Sequence, residues 1–344
     1  MRKLLTILLL FLVQIAFTQE KQYQVASIGF YNFENLFDTE DDPAIRDEEY
    51  TPEGSRTWDA AKYTEKLERL GEVVQKIGTD LNPDGLALLG VSEIENRKVL
   101  EDFAAHPSVA ARDYQIVHYD SPDERGIDVA LLYQSKYFQP ISSRAIPVEI
   151  FINGVQNFTR DVLHVEGVLN GDTIHVFVNH WPSRRGGERR SAPYRNMAAD
   201  TVKNVVDQLL AKNHDARIII MGDLNDDPTS PSVKKHLAVK YEKRQLFESD
   251  LYNPMYAFHK KGIGTLAYRD VWNLFDQIIL SESLVQPEGN TYRLYKAAIF
   301  SEPFMLQTKG RYKGYPKRTF AGGKYDGGYS DHFPVYMHLI KEVE

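Results

Sequence analysis

Short apolar runs alternate with stretches of helical period along the whole chain. Residues 24–31, 85–91, 127–133, 173–178, 216–221, 275–280 and 334–339 each read as a strand, short, mostly apolar and set among turn residues. Tyr63, Leu67, Leu70, Val74 and Ile77 step by four and three, which lines one face of a helix. Ala198, Val202, Val205, Val206 and Leu209 mark a second long helix. Elements interleaved in this way predict one α/β domain whose helices cover its sheets. Three stretches have no clear period: acidic 38–53, aromatic and glycine-rich 246–270, and basic, tyrosine-rich 309–328. Long irregular segments in a compact domain are expected to rim a site.

The N-terminus stands apart. Met1-Arg2-Lys3 is basic, residues 4–17 are apolar except for Thr6 and Gln14, and Ala16 and Thr18 suit cleavage before Gln19. Residues 1–18 are therefore expected to be a secretory signal peptide, and residues 19–344 a single exported domain, periplasmic or extracellular. No cysteine occurs in the 344 residues, which excludes a lipoprotein anchor, a disulfide framework, a thiolate metal site and a cysteine nucleophile. With 41 basic against 48 acidic residues, a formal −7, the chain is not coated in positive charge for non-specific nucleic-acid binding.

Composition matters less than where the polar residues fall. Asn32, Ser92-Glu93, Asn179-His180 and Gly222-Asp223-Leu224-Asn225 each directly follow an apolar run. Asp276 opens one, and Ser330-Asp331-His332 precedes another. Buried strands that end in carboxylate, amide or imidazole carry these groups to a sheet edge, where α/β proteins bind ligands. Six such ends suggest one converging site. Oxygen donors without sulfur suit a hard divalent ion, Mg²⁺ or Mn²⁺, with Ca²⁺ as a further candidate. Two histidines that can pair with carboxylates suit proton transfer or oxyanion stabilisation. Together they match metal-assisted hydrolysis of a phosphate ester.

These pieces, in this order and with Arg125-Gly126-Ile127-Asp128 ahead of an apolar strand, resemble the endonuclease/exonuclease/phosphatase superfamily, the deoxyribonuclease-I-like fold. The resemblance runs from about Ala26 to Leu339, and the stretch from Asn179 to Gly187 is similar to an exported bacterial branch. It implies a four-layer α-β-β-α sandwich of two packed mixed sheets flanked by helices. It also implies roles. Glu93 would be the principal metal ligand, with Asn32 beside it, Asp331 near the metal, and Glu34 where some branches carry an acidic ligand. Asp223 would align or deprotonate the attacking water, and Asn225 would orient that water and the phosphate. His332, held by Asp276, would contact a phosphate oxygen. His180 would be a general acid, with Asp128 as its partner on the substrate side.

Two basic clusters bear on the substrate. Arg184, Arg185, Arg189, Arg190 and Arg195 begin four residues after His180, and Arg184 and Arg185 are the favoured phosphate contacts. Lys309, Arg311, Lys313, Lys317, Arg318 and Lys324 interleave with Tyr312, Tyr315 and Phe320, a pattern suited to stacking bases. The leading expectation is a secreted, metal-dependent nuclease acting on DNA or RNA as a monomer without a stable protein partner. A phospholipid or sphingomyelin phosphodiesterase and a small-molecule phosphatase are the alternatives within the superfamily. A binding module that has lost its chemistry is the rival from another class. The intact Glu93, Asp223, Asn225, Asp276 and His332 argue against that rival.

Overall fold

The computed structural model describes residues 21–152 and 154–343, and the expected signal peptide lies outside them. The strands are β1 (Tyr23–Leu36), β2 (Leu86–Ile94), β3 (Tyr114–His118), β4 (Asp128–Gln134), β5 (Phe138–Ile146), β6 (Ile150–Ile152), β7 (Val155–Asn157), β8 (Val162–Leu169) and β9 (Asp172–His180). They continue with β10 (Arg217–Asp223), β11 (Leu251–Tyr252), β12 (Leu266–Tyr268), β13 (Val271–Asn273), β14 (Asp276–Ser281), β15 (Arg293–Ile299), β16 (Phe320–Ala321), β17 (Lys324–Tyr325) and β18 (Val335–Glu342). The helices are α1 (Ala60–Val74), α2 (Arg97–Ala105), α3 (Glu188–Lys212) and the short α4 (Tyr256–His259).

Two six-stranded mixed sheets dominate, ordered β15-β18-β1-β2-β4-β3 and β11-β14-β10-β9-β8-β5. Strand alternation explains their stacking. Ile28 and Phe30 of β1 and Leu131 of β4 point inward to meet Val176, Val178, Ile219 and Met221 of the second sheet. The next residues along point outward. Tyr31, Leu89 and Val91 pack on Leu67, Leu70 and Val74 of α1 and on Phe103 of α2. Ile218 and Ile220 pack on Ala198, Val202 and Val206 of α3. The result is the four-layer α-β-β-α sandwich. The sheets approach so closely at Gly90 that a Cβ there would lie 2.5 Å from Met221 Sδ. Both N-terminal helices start on side-chain caps, Asp59 for α1 and Asn96 for α2.

The irregular segments are ordered by small aromatic clusters. Phe37, Tyr50, Trp58 and Ile127 are buried together, and Phe320 and Tyr325 pack against them. This ties the acidic 38–53 loop to the basic C-terminal loop, leaving Phe320 engaged rather than free for a base. No helix among the described residues is long and apolar enough to cross a membrane.

Candidate active site

Register brings the polar strand ends together. In the second sheet His180, Asp223 and Asp276 are side-by-side partners on β9, β10 and β14. In the first, Asn32 stands opposite Ser92, and Phe30 opposite Val335, so the turn 330–332 enters at the same edge. Register breaks between Asn32 and Leu36 on β1 and between Ser92 and Ile94 on β2 re-aim the intervening side chains. Glu34 (φ 49°), Glu93 (φ 57°) and Asn225 (φ 49°) all take left-handed backbone here. Three strained non-glycine residues at one edge mark a place where side-chain identity outranks backbone comfort.

Asp223 is the hub. Its Oδ2 accepts Asn32 Nδ2 at 3.1 Å and lies 3.7 Å from His180 Nε2 and 3.8 Å from His332 Nε2. Its Oδ1 accepts the Asn225 backbone N–H at 2.9 Å. The Asn225 amide is fixed by donating to Trp181 O at 2.9 Å. His332 Nδ1 is 2.7 Å from Asp276 Oδ2, a contact that sets the ring's orientation and tautomer. Glu93 Oε2 accepts Asn35 N at 3.1 Å, and its Oε1 lies 3.7 Å from His180 Nε2.

The electrostatics separate the two histidines. Burial opposes charge on His332, yet Asp276 and Asp223 hold its pKa well above the ordinary value, so it is cationic. Burial, with Arg160 and Arg125 nearby, holds the His180 pKa well below the ordinary value. His180 is therefore neutral and suited to donating a hydrogen bond, not to the general-acid role expected from the sequence. Burial pushes the Asp223 carboxyl up to about 7, with His332 opposing and Asp276 adding. A carboxylate near neutrality is matched to accepting a proton at physiological pH.

The donor set fits a hard cation. Glu93 Oε1 accepts no hydrogen bond among the described residues, and Asn32 Oδ1 accepts only the Glu34 N–H, at 2.8 Å. Asp331 is ion-paired through Oδ2 with Arg318, and its Oδ1 lies 3.9 Å from His332 Nε2. Glu93, Asn32 and Asp331 would hold such an ion. Asp223, Asp276 and His332 also bring ligand-type atoms within 4.8 Å of one another.

Several expected residues are employed otherwise. Glu34 Oε2 accepts Thr319 N at 2.7 Å and Thr319 Oγ1 at 2.8 Å, and lies 3.7 Å from the buried Lys66 ammonium. Glu34 thus anchors the C-terminal loop through Oε2, while its Oε1 accepts no hydrogen bond among the described residues and lies 3.7 Å from Arg318 Nε. Asp128 does not pair with His180. Its carboxylate takes His118 Nε2 at 2.9 Å and Ser121 N at 2.8 Å, because β3 lies against β4. Arg184 is spent on Asn225 O, Asp226 and Asp227 and stacks on Phe275, so it braces the 223–227 turn instead of reaching for phosphate. Arg195 is wholly buried against Asp226. Arg185 remains exposed at the rim. No sequence pattern pointed to Arg160, which holds the carbonyls of His180 and Trp181 and pairs with Asp123. Nor did it single out Lys66, whose helical position looks like ordinary surface.

Residues 27–341 match the model of the Endonuclease/Exonuclease/phosphatase family. Among solved structures, an endonuclease/exonuclease/phosphatase family protein from Bacteroides thetaiotaomicron aligns with TM-score 0.58 and 15% identity, over 94% of this chain and 100% of that one. D. rerio TDP2 complexed with single strand DNA product aligns with TM-score 0.54 and 12% identity, over 92% and 98%. The human Nocturnin catalytic domain with bound sulfate aligns with TM-score 0.51 and 12% identity, over 94% and 98%. A search of curated proteins by sequence finds no match. With the fold shared and the family model spanning nearly all of the described residues, the chain belongs to the endonuclease/exonuclease/phosphatase family.

Proposed function

We propose that the protein is an exported, divalent-metal-dependent phosphodiesterase that cleaves nucleic acid. The observation that supports this best is Asp223, a carboxyl pushed up to about 7 by burial and flanked by a cationic His332. Asp223 takes the proton of the attacking water, while Asn32 and Asn225 keep its two oxygens oriented. His332, locked by Asp276, neutralises charge growing on the phosphoryl oxygens. Neutral His180 donates a hydrogen bond to the same group. Glu93, Asn32 and Asp331 would hold Mg²⁺ or Mn²⁺, which would supply Lewis acidity toward a phosphoryl oxygen. Most of the acceleration then comes from positioned, preorganised charge.

Nucleic acid is favoured by the basic, aromatic rim and by the likeness to a TDP2 solved with a single-stranded DNA product. A phospholipid substrate is the second reading, and one observation favours it. Ribbon β6–β7 leaves the site's own edge, where Ile146 pairs with Val162, and bares Phe151 (52% exposed) and Val155 (70% exposed). The sequence did not make that apolar hairpin evident. The deciding assay offers purified protein plasmid DNA, RNA, sphingomyelin and a chromogenic phosphodiester, each with Mg²⁺, Mn²⁺ or EDTA. Nucleic-acid cleavage that EDTA abolishes is expected. Cleavage of sphingomyelin alone would replace this reading with the second.

A further inference from the structure

A cavity of about 390 Å³ opens beside the catalytic edge. Its walls are Tyr268, Tyr312, Tyr315 and Pro316, its cations are Arg269, Arg311 and Arg318, and Asp331 forms the border with the catalytic centre. The volume lies toward the small end of the range for a compact ligand.

The walls are anchored to the site. Phe333, the residue after His332, stacks on Trp272 with ring centroids 6.0 Å apart. Trp272 meets Tyr315 at 5.8 Å, and Tyr315 meets Tyr312 at 5.6 Å. Tyr315 is further fixed by donating to Asp270 at 2.6 Å. An aromatic file therefore runs from the catalytic histidine's neighbour to the rim, and Tyr312 ends it 51% exposed. Arg269 is held there against backbone preference. It and Asp270 have φ of 51° and 65° between the paired ends Tyr268 and Val271, a two-residue hairpin turn. Both central positions of such a turn favour asparagine, aspartate or glycine, so the arginine costs stability where it stands.

We propose that this cavity takes one unpaired nucleobase of a single-stranded polynucleotide, seating its neighbouring phosphate at the catalytic edge. The inference rests on the phosphodiesterase reading above and narrows its substrate. A planar, sequence-tolerant face is what tyrosine walls bind, and Arg269 and Arg311 supply charge for the flanking phosphates. A quaternary ammonium headgroup would also suit an aromatic cage, but Arg269, which has no carboxylate partner among the described residues, repels it, whereas Arg318 and Arg311 are paired with Asp331 and Asp270. A paired base cannot enter without leaving its stack.

The test is fluorescence anisotropy in EDTA, with a labelled single-stranded oligonucleotide, its duplex, and phosphatidylcholine vesicles as competitor. Tighter binding of the single strand is expected. Tyr312→Ala should weaken that binding about ten-fold or more, and Tyr312→Phe should retain it. Arg269→Gly should weaken it several-fold while raising the urea midpoint, a combination that a purely structural role does not produce. Unchanged single-strand affinity in Tyr312→Ala overturns the proposal. So does a duplex bound as tightly as the strand, or displacement of the oligonucleotide by the vesicles through Tyr312. Hydrolysis of bis(4-nitrophenyl) phosphate with Mn²⁺ is scored separately. If it fails while Tyr312-dependent binding holds, the hydrolase reading falls and the pocket stands. If it succeeds while Tyr312 is silent, the pocket alone falls.

Discussion

Asp223 is asked to be ionised, buried and ready to accept a proton. Those demands conflict unless cationic groups and hydrogen-bond donors surround it, and His332, Asn32 and the Asn225 N–H do so. Asp223→Ala is expected to lower kcat by roughly 10³-fold. Its urea midpoint near neutral pH should hold or rise, since burial and Asp276 outweigh those partners and leave the ionised carboxylate a net cost to the fold. A second test separates His332 from its partner. In Asp276→Asn the histidine loses the charge that holds its pKa up, so its imidazole resonances should titrate at lower pH by NMR, and kcat should fall by roughly 10²- to 10⁴-fold. The catalytic candidates were legible because each borders an apolar run, a signal that needs no knowledge of pairing. Asp128 was misassigned because its true partner, His118, is placed by the β3–β4 register, and β3 carries too weak a pattern to be seen.

Among elements, what escaped the sequence was the sheet borders, the inner strand β8 and the small ribbons. β3, β5 and β15 are edge strands. With one flank in water they hold polar residues, and β5 even admits Pro140 at a register break. Their period-2 signal is diluted accordingly. The C-terminal loop's attachment was equally invisible, since it depends on Lys66 of α1 meeting Glu34 of β1 and Thr319 across the fold. Lys66 is almost wholly buried, so Lys66→Met leaves the Glu34 carboxylate with only Thr319 and the more distant Arg318 and should cost up to about 3 kcal/mol by urea denaturation. Burial already pushes Glu34 up to about 7. It can take up a proton in the variant, so the loss should be greater above neutral pH than below it. The double variant Glu34→Gln/Lys66→Met should recover most of the stability. A loss independent of pH and not recovered by the double variant would deny the pair.

At the scale of the molecule, the two-sheet sandwich was legible in outline because inner strands alternate faithfully between two buried faces. One pH-dependent contribution to the stability of the whole comes from His164, stacked on Phe177 with ring centroids 4.4 Å apart. Burial, with His175 and Arg144 adding, lowers its pKa to about 4. The folded protein refuses a proton that the unfolded chain accepts from about pH 6.5 downward. The contribution of His164 is therefore complete above that value, is lost between about 6.5 and 4, and amounts to about 3 kcal/mol. His164→Phe should flatten that segment of a urea-midpoint profile against pH.

The central claim is that acids, amides and imidazoles from both sheets gather around one hard cation to hydrolyse phosphodiesters. The most direct measurement is the hydrolysis rate of a labelled oligonucleotide by the native protein and by Glu93→Gln, each with Mn²⁺ and with EDTA. Rapid cleavage by the native protein in Mn²⁺ is expected, with loss in EDTA and a fall of roughly a hundred-fold in Glu93→Gln. Native-like cleavage in EDTA, or by Glu93→Gln, would contradict it.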